Sequence, residues 1–213
     1  SSIGMRLGDF ASVDPILQAR GIGGLKGGMS QVKPIWDEFF NNQEELIFLR
    51  EKILAEKENF TVEQKFEELF FDIKELKGEV KLREIKTRVN QNVFRQMVIS
   101  NYTGKCAISG IDIPELLVAS HIVPWSINEE ERLNPENGIC FSALYDKAFD
   151  KGLIGIDEQY KILLSKNIKK NKEAIYYDKY FAPLENQTLT LPQKYLPKKE
   201  FIQYHLDVIF QKI

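Results

Sequence analysis

Cysteine and histidine are scarce in this chain: 213 residues hold only Cys106, Cys140, His121 and His205. The two cysteines form no C-x-x-C pair and are expected as buried small apolar residues. Net charge is also lacking, since 29 Lys and Arg against 31 Asp and Glu leave −2. That excludes a chain-wide basic field and makes any polyanion-binding surface a local one. No apolar run is long enough to span a membrane and no secretory signal is visible, so a reducing cytoplasm is expected. No internal repeat appears, and the one biased tract is a glycine-rich patch (Gly21, Gly23, Gly24, Gly27, Gly28). What is present is 43% hydrophobic residues, enough for a real core in one large or two small domains.

Composition divides the chain. Residues 1 to about 35 combine the glycines with Arg6, Arg20, Lys26 and Lys33 against few acids, and Ser1 to Leu7 reads as the end of a short amphipathic helix. The chain opens on Ser1 rather than Met, and the expectation is a fragment, a processed product or the ordered part of something longer. From Pro34, Ile35, Trp36, Phe39 and Phe40, then Leu46, Ile47, Leu49, Ile53 and Leu54, have helical spacing, as a core face or a dimer seam. These residues close an N-terminal helical region, 1–57. Residues 58–86 are dense in Glu and Lys and read as a charged helix around Val62 to Leu76, a break at Gly78 and an exposed linker. Asn90 to Asn101 is a second amphipathic helix, inside a last domain at 87–213.

The densest chemistry lies between Cys106 and Ile156. Leu116 to Val118, Ile122 and Val123 favour a strand that Pro124 ends. Pro135 and Asn137-Gly138 mark a turn before a second apolar run, Ile139 to Phe141. Ala143 to Asp150 reads as helix with Leu144, Ala148 and Phe149 inward, and Asp146 and Asp150 share a face one turn apart. Strand, loop, strand, helix is a ββα unit. Beyond it, Gly152 to Ser165 alternates as a hairpin, 172–181 looks helical, and Thr188 to Leu191 is a short strand. Lys198 to Phe210 is a terminal helix with Phe201, Tyr204, His205, Val208 and Ile209 inward. The fold class expected is α+β, a mainly helical N-terminal part followed by this unit, an added hairpin and the terminal helix.

The order Ser120-His121-Ile122-Val123-Pro124-Trp125, Asn137-Gly138 and Phe149-Asp150 resembles the HNH endonucleases, in the branch written around SHI-PW, NG and FD-G. The resemblance implies a metal-dependent endonuclease hydrolysing DNA phosphodiesters, of restriction or phage-defence type. It makes His121 the general base, a role suited to a group titrating near working pH. It makes Asn137 the residue that orients that ring or braces the loop. Asp146 would hold one Mg²⁺ or Mn²⁺, with Asp150 as second ligand or outer partner, since carboxylates suit hard cations. Relatives in this branch read LHDKAFD where this chain reads LYDKAFD, so Tyr145 stands for a histidine beside the site, and Ser120 for a common acid. With His121 as base, too few soft ligands remain for the structural zinc of many such proteins. In similar restriction-type proteins GDFASVDP follows a helix-turn-helix-like segment, so the Ser1 to Leu7 piece resembles the end of a DNA-binding unit.

Cations for the substrate are expected at Arg132 on the inter-strand loop, at Lys166, Lys169 and Lys170 beside Lys161 and Lys172, and at Arg95. The string RVNQNVFRQMVISNY, which resembles the branch's leader helix, carries over Arg88, Gln91 and Arg95 as phosphate or scaffold contacts. Each residue also has a plainer role open to it. Asp146 and Asp150 could be solvated acids paired with Lys147 and Lys151, Arg132 a surface arginine, the lysines a solvated loop, and Trp125, Phe149 and His205 scaffold. Two other functions stay open beside the nuclease, a homodimer being compatible with any of them. One is a catalytically weakened scaffold that binds nucleic acid; the other is an interaction protein using the stripe from Trp36 to Leu54.

Overall fold

The computed structural model describes residues 4, 8–24, 27–70, 72–73 and 75–211. The helix expected over Ser1 to Leu7 falls almost wholly outside these residues. Compact packing divides the chain into two units, 1–86 and 87–213. Among the described residues no helix is long and apolar enough to cross a membrane.

The first unit is helical. Asp14 caps α1 (Pro15–Ala19) by accepting from the Ile16 and Leu17 amides. α2 (Met29–Phe39) holds Pro34 inside it, so the helix begins earlier than the change of pattern at Pro34 implied. α3 (Gln43–Lys57) buries Glu51 and Ala55, one turn apart, and not the expected apolar stripe. Leu46, Leu49 and Ile53 are exposed. Glu51 tolerates burial because Arg50 and Lys65 pair with it. α4 (Val62–Lys65) starts on a reciprocal Thr61–Gln64 capping box.

α5 runs unbroken over Gly78–Asn101, so 78–86 are helix where a linker was expected. Its buried residues Ile85, Val89, Val93 and Val98, with Phe94 beside Val93, recur every four or five positions, a single helical stripe free of internal Pro or Gly. Local charge density had masked that stripe in its first two turns. The second unit builds on the end of α5. β1 (Leu117–His121) pairs antiparallel with β2 (Gly138–Ser142), with His121 opposite Gly138 and Ala119 opposite Cys140. Every residue of β2 is buried, and α6 (Ala143–Asp150) follows directly. Within α6, Leu144 is 47% exposed and Tyr145 only 7%. The expected inward position at Leu144 is thus corrected: the Tyr145 hydroxyl donates to the Tyr180 carbonyl, and that partner draws the aromatic side inward.

The hairpin is β3 (Ile154–Ile156) with β4 (Ile162–Leu164). α7 (Lys166–Lys169) and α8 (Ile175–Tyr180) follow. Thr188 to Leu191 forms only an isolated bridge, Thr188 to Lys161, in place of a strand. α9 (Lys199–Tyr204) widens into a π-helical turn at His205–Ile209, closed by Phe210 N–H donating to the His205 carbonyl. The wider turn rotates the later side chains off the α period, so Val208 is 63% exposed where it was expected inward. Cys106 and Cys140 are free and buried.

Gly138 has extended dihedrals, so its need is space and not a turn conformation. A Cβ there would lie 2.4 Å from Val98 Cγ2 and 2.9 Å from Phe94 Cζ of α5. Gly138→Ala is expected to lower stability by about 1–3 kcal/mol through overpacking. Urea unfolding measures it, and an unchanged midpoint would show that α5 yields freely.

Candidate active site

His121 ends β1 with its ring stacked on Phe94 at 3.8 Å and 13°, and edge-on to Trp125 at 5.5 Å and 86°. Its Nε2 lies 2.9 Å from the Arg132 carbonyl oxygen. A carbonyl only accepts, so Nε2 carries the proton and donates, and Nδ1 keeps its lone pair. Burial holds the imidazole below its ordinary value, partly opposed by that hydrogen bond. The ring is therefore neutral at neutral pH, with a basic nitrogen set by a backbone contact.

That contact depends on the loop between β1 and β2. Asn137 is 1% exposed and its amide spans the loop. Oδ1 accepts from Val123 N–H at 2.8 Å, and Nδ2 donates to the Val123 carbonyl at 3.1 Å and the Glu131 carbonyl at 3.3 Å. All three of these hydrogen bonds go to the loop backbone and none to the His121 ring. Arg132 is also committed locally. Its Nε donates to the Trp125 carbonyl at 2.7 Å, Nη2 pairs with Glu129 at 3.1 Å, and the guanidinium lies 5.2 Å from the Trp125 ring centroid.

A cleft of about 470 Å³ joins β1 to α6, lined by Ser120, His121, Trp125, Asp146, Lys147, Asp150, Lys151 and His205 among others. Burial raises the Asp146 carboxyl, against the lowering pull of the Ser120 hydroxyl and Lys147. The Ser120 hydroxyl is itself buried without a hydrogen bond of normal geometry, so its influence on Asp146 is one of proximity. Asp150 is raised first by burial and then by the charge of Asp146, with Lys147 and Lys151 opposing. Asp146, partly buried, and Asp150, exposed one turn further on, form a hard-oxygen donor pair in which the charge of Asp146 disfavours ionisation of Asp150, and a divalent cation would offset that. No group of three or more His, Cys, Asp or Glu among the described residues could hold a metal alone. The residues fit a cation bound through Asp146 and Asp150 and completed by water and phosphate oxygens.

Several expected residues stand elsewhere. Tyr145 packs edge-on to Phe181 at 6.4 Å and does not line the cleft. Tyrosine in place of histidine therefore removes no group from the cleft, which corrects its placement beside the site. Two N–H groups of Arg95 go to the scaffold, Nη1 donating to the Leu117 carbonyl at 2.6 Å and Nη2 to the Pro114 carbonyl at 3.0 Å, and Arg95 does not line this cleft. Lys169 pairs with Glu185, and Lys170 donates to Asn167 Oδ1 at 3.2 Å; neither they nor Lys166 line the cleft. The cations that do are Lys147 and Lys151, which alternate with the acids along α6 and had been weighed only as their ion-pair partners.

His205 is the residue that sequence spacing did not bring here. It is buried, stacked on Phe149 at 3.6 Å and 2°, and its Nε2 is 3.0 Å from the Phe149 carbonyl while Nδ1 has no partner. Helical spacing placed it inward, but no local signal linked it to α6, since the contact spans 56 residues.

Residues 106–157, about a quarter of the chain, match the model of the HNH endonuclease family. Nucleases of this family generally use a divalent metal. Among solved structures the chain is similar to one titled "Modification dependent TagI restriction endonuclease", at 16% identity and a TM-score of 0.39 over 54% of this chain. The match spans 36% of that protein's chain. No curated protein matches.

Burial pushes His205 down to about 4 from 6.5. The unfolded chain therefore binds the extra proton between those values, and stability falls as pH drops from 6.5 towards 4 and is level above. Stability should be about 2 kcal/mol lower at pH 4.5 than at pH 7 on this account. His205→Gln should lose that difference in urea titrations at the two pH values; an unchanged difference would place its origin in other groups.

Proposed function

We propose that this chain is a metal-dependent DNA endonuclease of restriction or phage-defence type, with His121 as general base and one Mg²⁺ or Mn²⁺ held by Asp146 with Asp150. One observation carries this: a histidine with its proton committed to the Arg132 carbonyl lines the same cleft as two carboxylates a helical turn apart, Asp146 and Asp150. Nδ1 of His121 takes a proton from water as the oxygen bonds to phosphorus. The P–O3′ bond breaks and the 3′ oxygen leaves with a proton from solvent, giving a 5′ phosphate and a 3′ hydroxyl. When bound, the metal would supply Lewis-acid charge on a non-bridging oxygen and on the leaving oxygen. Lys147 and Lys151 attract the phosphodiester to the cleft, and Asn137 keeps the loop, and through it the imidazole, in register. One such site cuts one strand, so a double-strand break needs a homodimer or two encounters.

Cleavage of supercoiled plasmid with Mg²⁺, Mn²⁺ or EDTA tests the proposal. His121→Ala should cost about 10²–10⁴-fold in rate, and Asp146→Ala should abolish metal-dependent nicking. DNA binding with no cutting under any metal would instead favour the weakened scaffold. Activity that survives Asp146→Ala would move the metal to Asp150. The acid limb of the pH–rate profile should fall below the ordinary histidine value of 6.5, since burial lowers His121. A limb above 6.5 would remove His121 as the base.

A further inference from the structure

His121 lines two clefts, and the second has no role in the chemistry above. It is about 220 Å³ and lies between β1 and α5, walled by Phe94, Val118, Ala119 and Trp125, with Gln91 and Arg95 among its polar lining groups. Resting on the nuclease reading, we propose that it is a subsite for one unpaired nucleobase, that of the nucleotide adjoining the scissile phosphate.

Three features support this occupant. Both clefts share Val118, Ala119, His121 and Trp125, so the second one is next to the position proposed for the scissile phosphate. Trp125 lines both clefts and is only part-buried, yet it is held by Arg132 over its ring and on its carbonyl and by the edge contact with His121. A fixed, part-exposed indole is a stacking platform for a heterocycle, and such stacking tolerates any base. The polar groups are also of the right kind. Gln91 is exposed on α5, and its amide, both donor and acceptor, has no hydrogen-bond partner among the described residues. Arg95 is fixed by two carbonyls, which aligns its remaining N–H donors. The space suits one planar ring system and not a base pair, so the base must leave its stack, and unpaired DNA is favoured near the cut.

The test uses the whole chain with Mn²⁺ on single-stranded and duplex oligonucleotides of one sequence. Once the preferred cut is mapped, the nucleotide on each side in turn is made abasic. Removing the base on one side should raise KM about tenfold or more with kcat little changed, and the single strand should be cut at lower KM than the duplex. Trp125→Leu should raise KM for the intact strand by a larger factor than for the abasic one; an equal rise for both overturns the stacking role. Gln91→Ala, at an exposed position where misfolding is no concern, should alter the base distribution at that side of the cut. Equal KM for intact and abasic strands on both sides, or an unaltered base distribution in Gln91→Ala, overturns the subsite while the nuclease stands. A wild-type chain that cuts nothing with any divalent metal overturns both.

Discussion

The buried amide of Asn137 is the constraint on which the site depends. By accepting from and donating to Val123 it fixes the backbone just past His121, and by donating to Glu131 it closes the loop from its far end. The next residue along is Arg132, whose carbonyl receives the His121 proton. One side chain that never touches the imidazole thereby determines which ring nitrogen stays basic. An asparagine is suited to this because it presents a donor and an acceptor together, so three backbone groups are satisfied without burying a charge.

Around that loop the second unit supplies two walls of different character. α5 offers an aromatic face, Phe94 stacked against His121, and comes so close to β2 that position 138 has no room for a Cβ. α6 offers a charged face in which acids and lysines alternate. The histidine thus has a hydrophobic neighbour that keeps it neutral and an electrostatic one suited to cation and phosphate. His205 ties the terminal segment to α6 through Phe149, so that segment helps hold the helix that carries both carboxylates.

The ββα order and most boundaries of the second unit were legible because they rest on local physics. The apolar run Ile139 to Phe141 and the i, i+4 spacing of Asp146 and Asp150 are properties of short segments, whereas β1 ends at His121, short of the Ile122, Val123 and Pro124 expected to close it. Legibility failed where a partner far along the chain decided the outcome. Leu144 lies outward against expectation, and Tyr145 is buried with its hydroxyl on the Tyr180 carbonyl. Val208 turned outward because the terminal helix widens at His205. The Glu- and Lys-rich stretch before Thr87 hid a stripe of α5 that charge density alone made look like linker. The cations expected at Arg95, Lys169 and Lys170 proved to have nearby acceptors of their own.

By itself the sequence determined the kinds of group available: one histidine in a β-branched run, one asparagine before the second strand, two carboxylates a turn apart on a helix. Periodicity and residue chemistry act within a few positions, so these needed no tertiary information. Only the tertiary structure decided the tautomer of His121, the backbone partners of Asn137, the inward turn of Tyr145 and the arrival of His205 and two lysines at the cleft. Those outcomes depend on hydrogen bonds and burial between segments up to 56 residues apart, and such contacts leave no periodic trace in the chain.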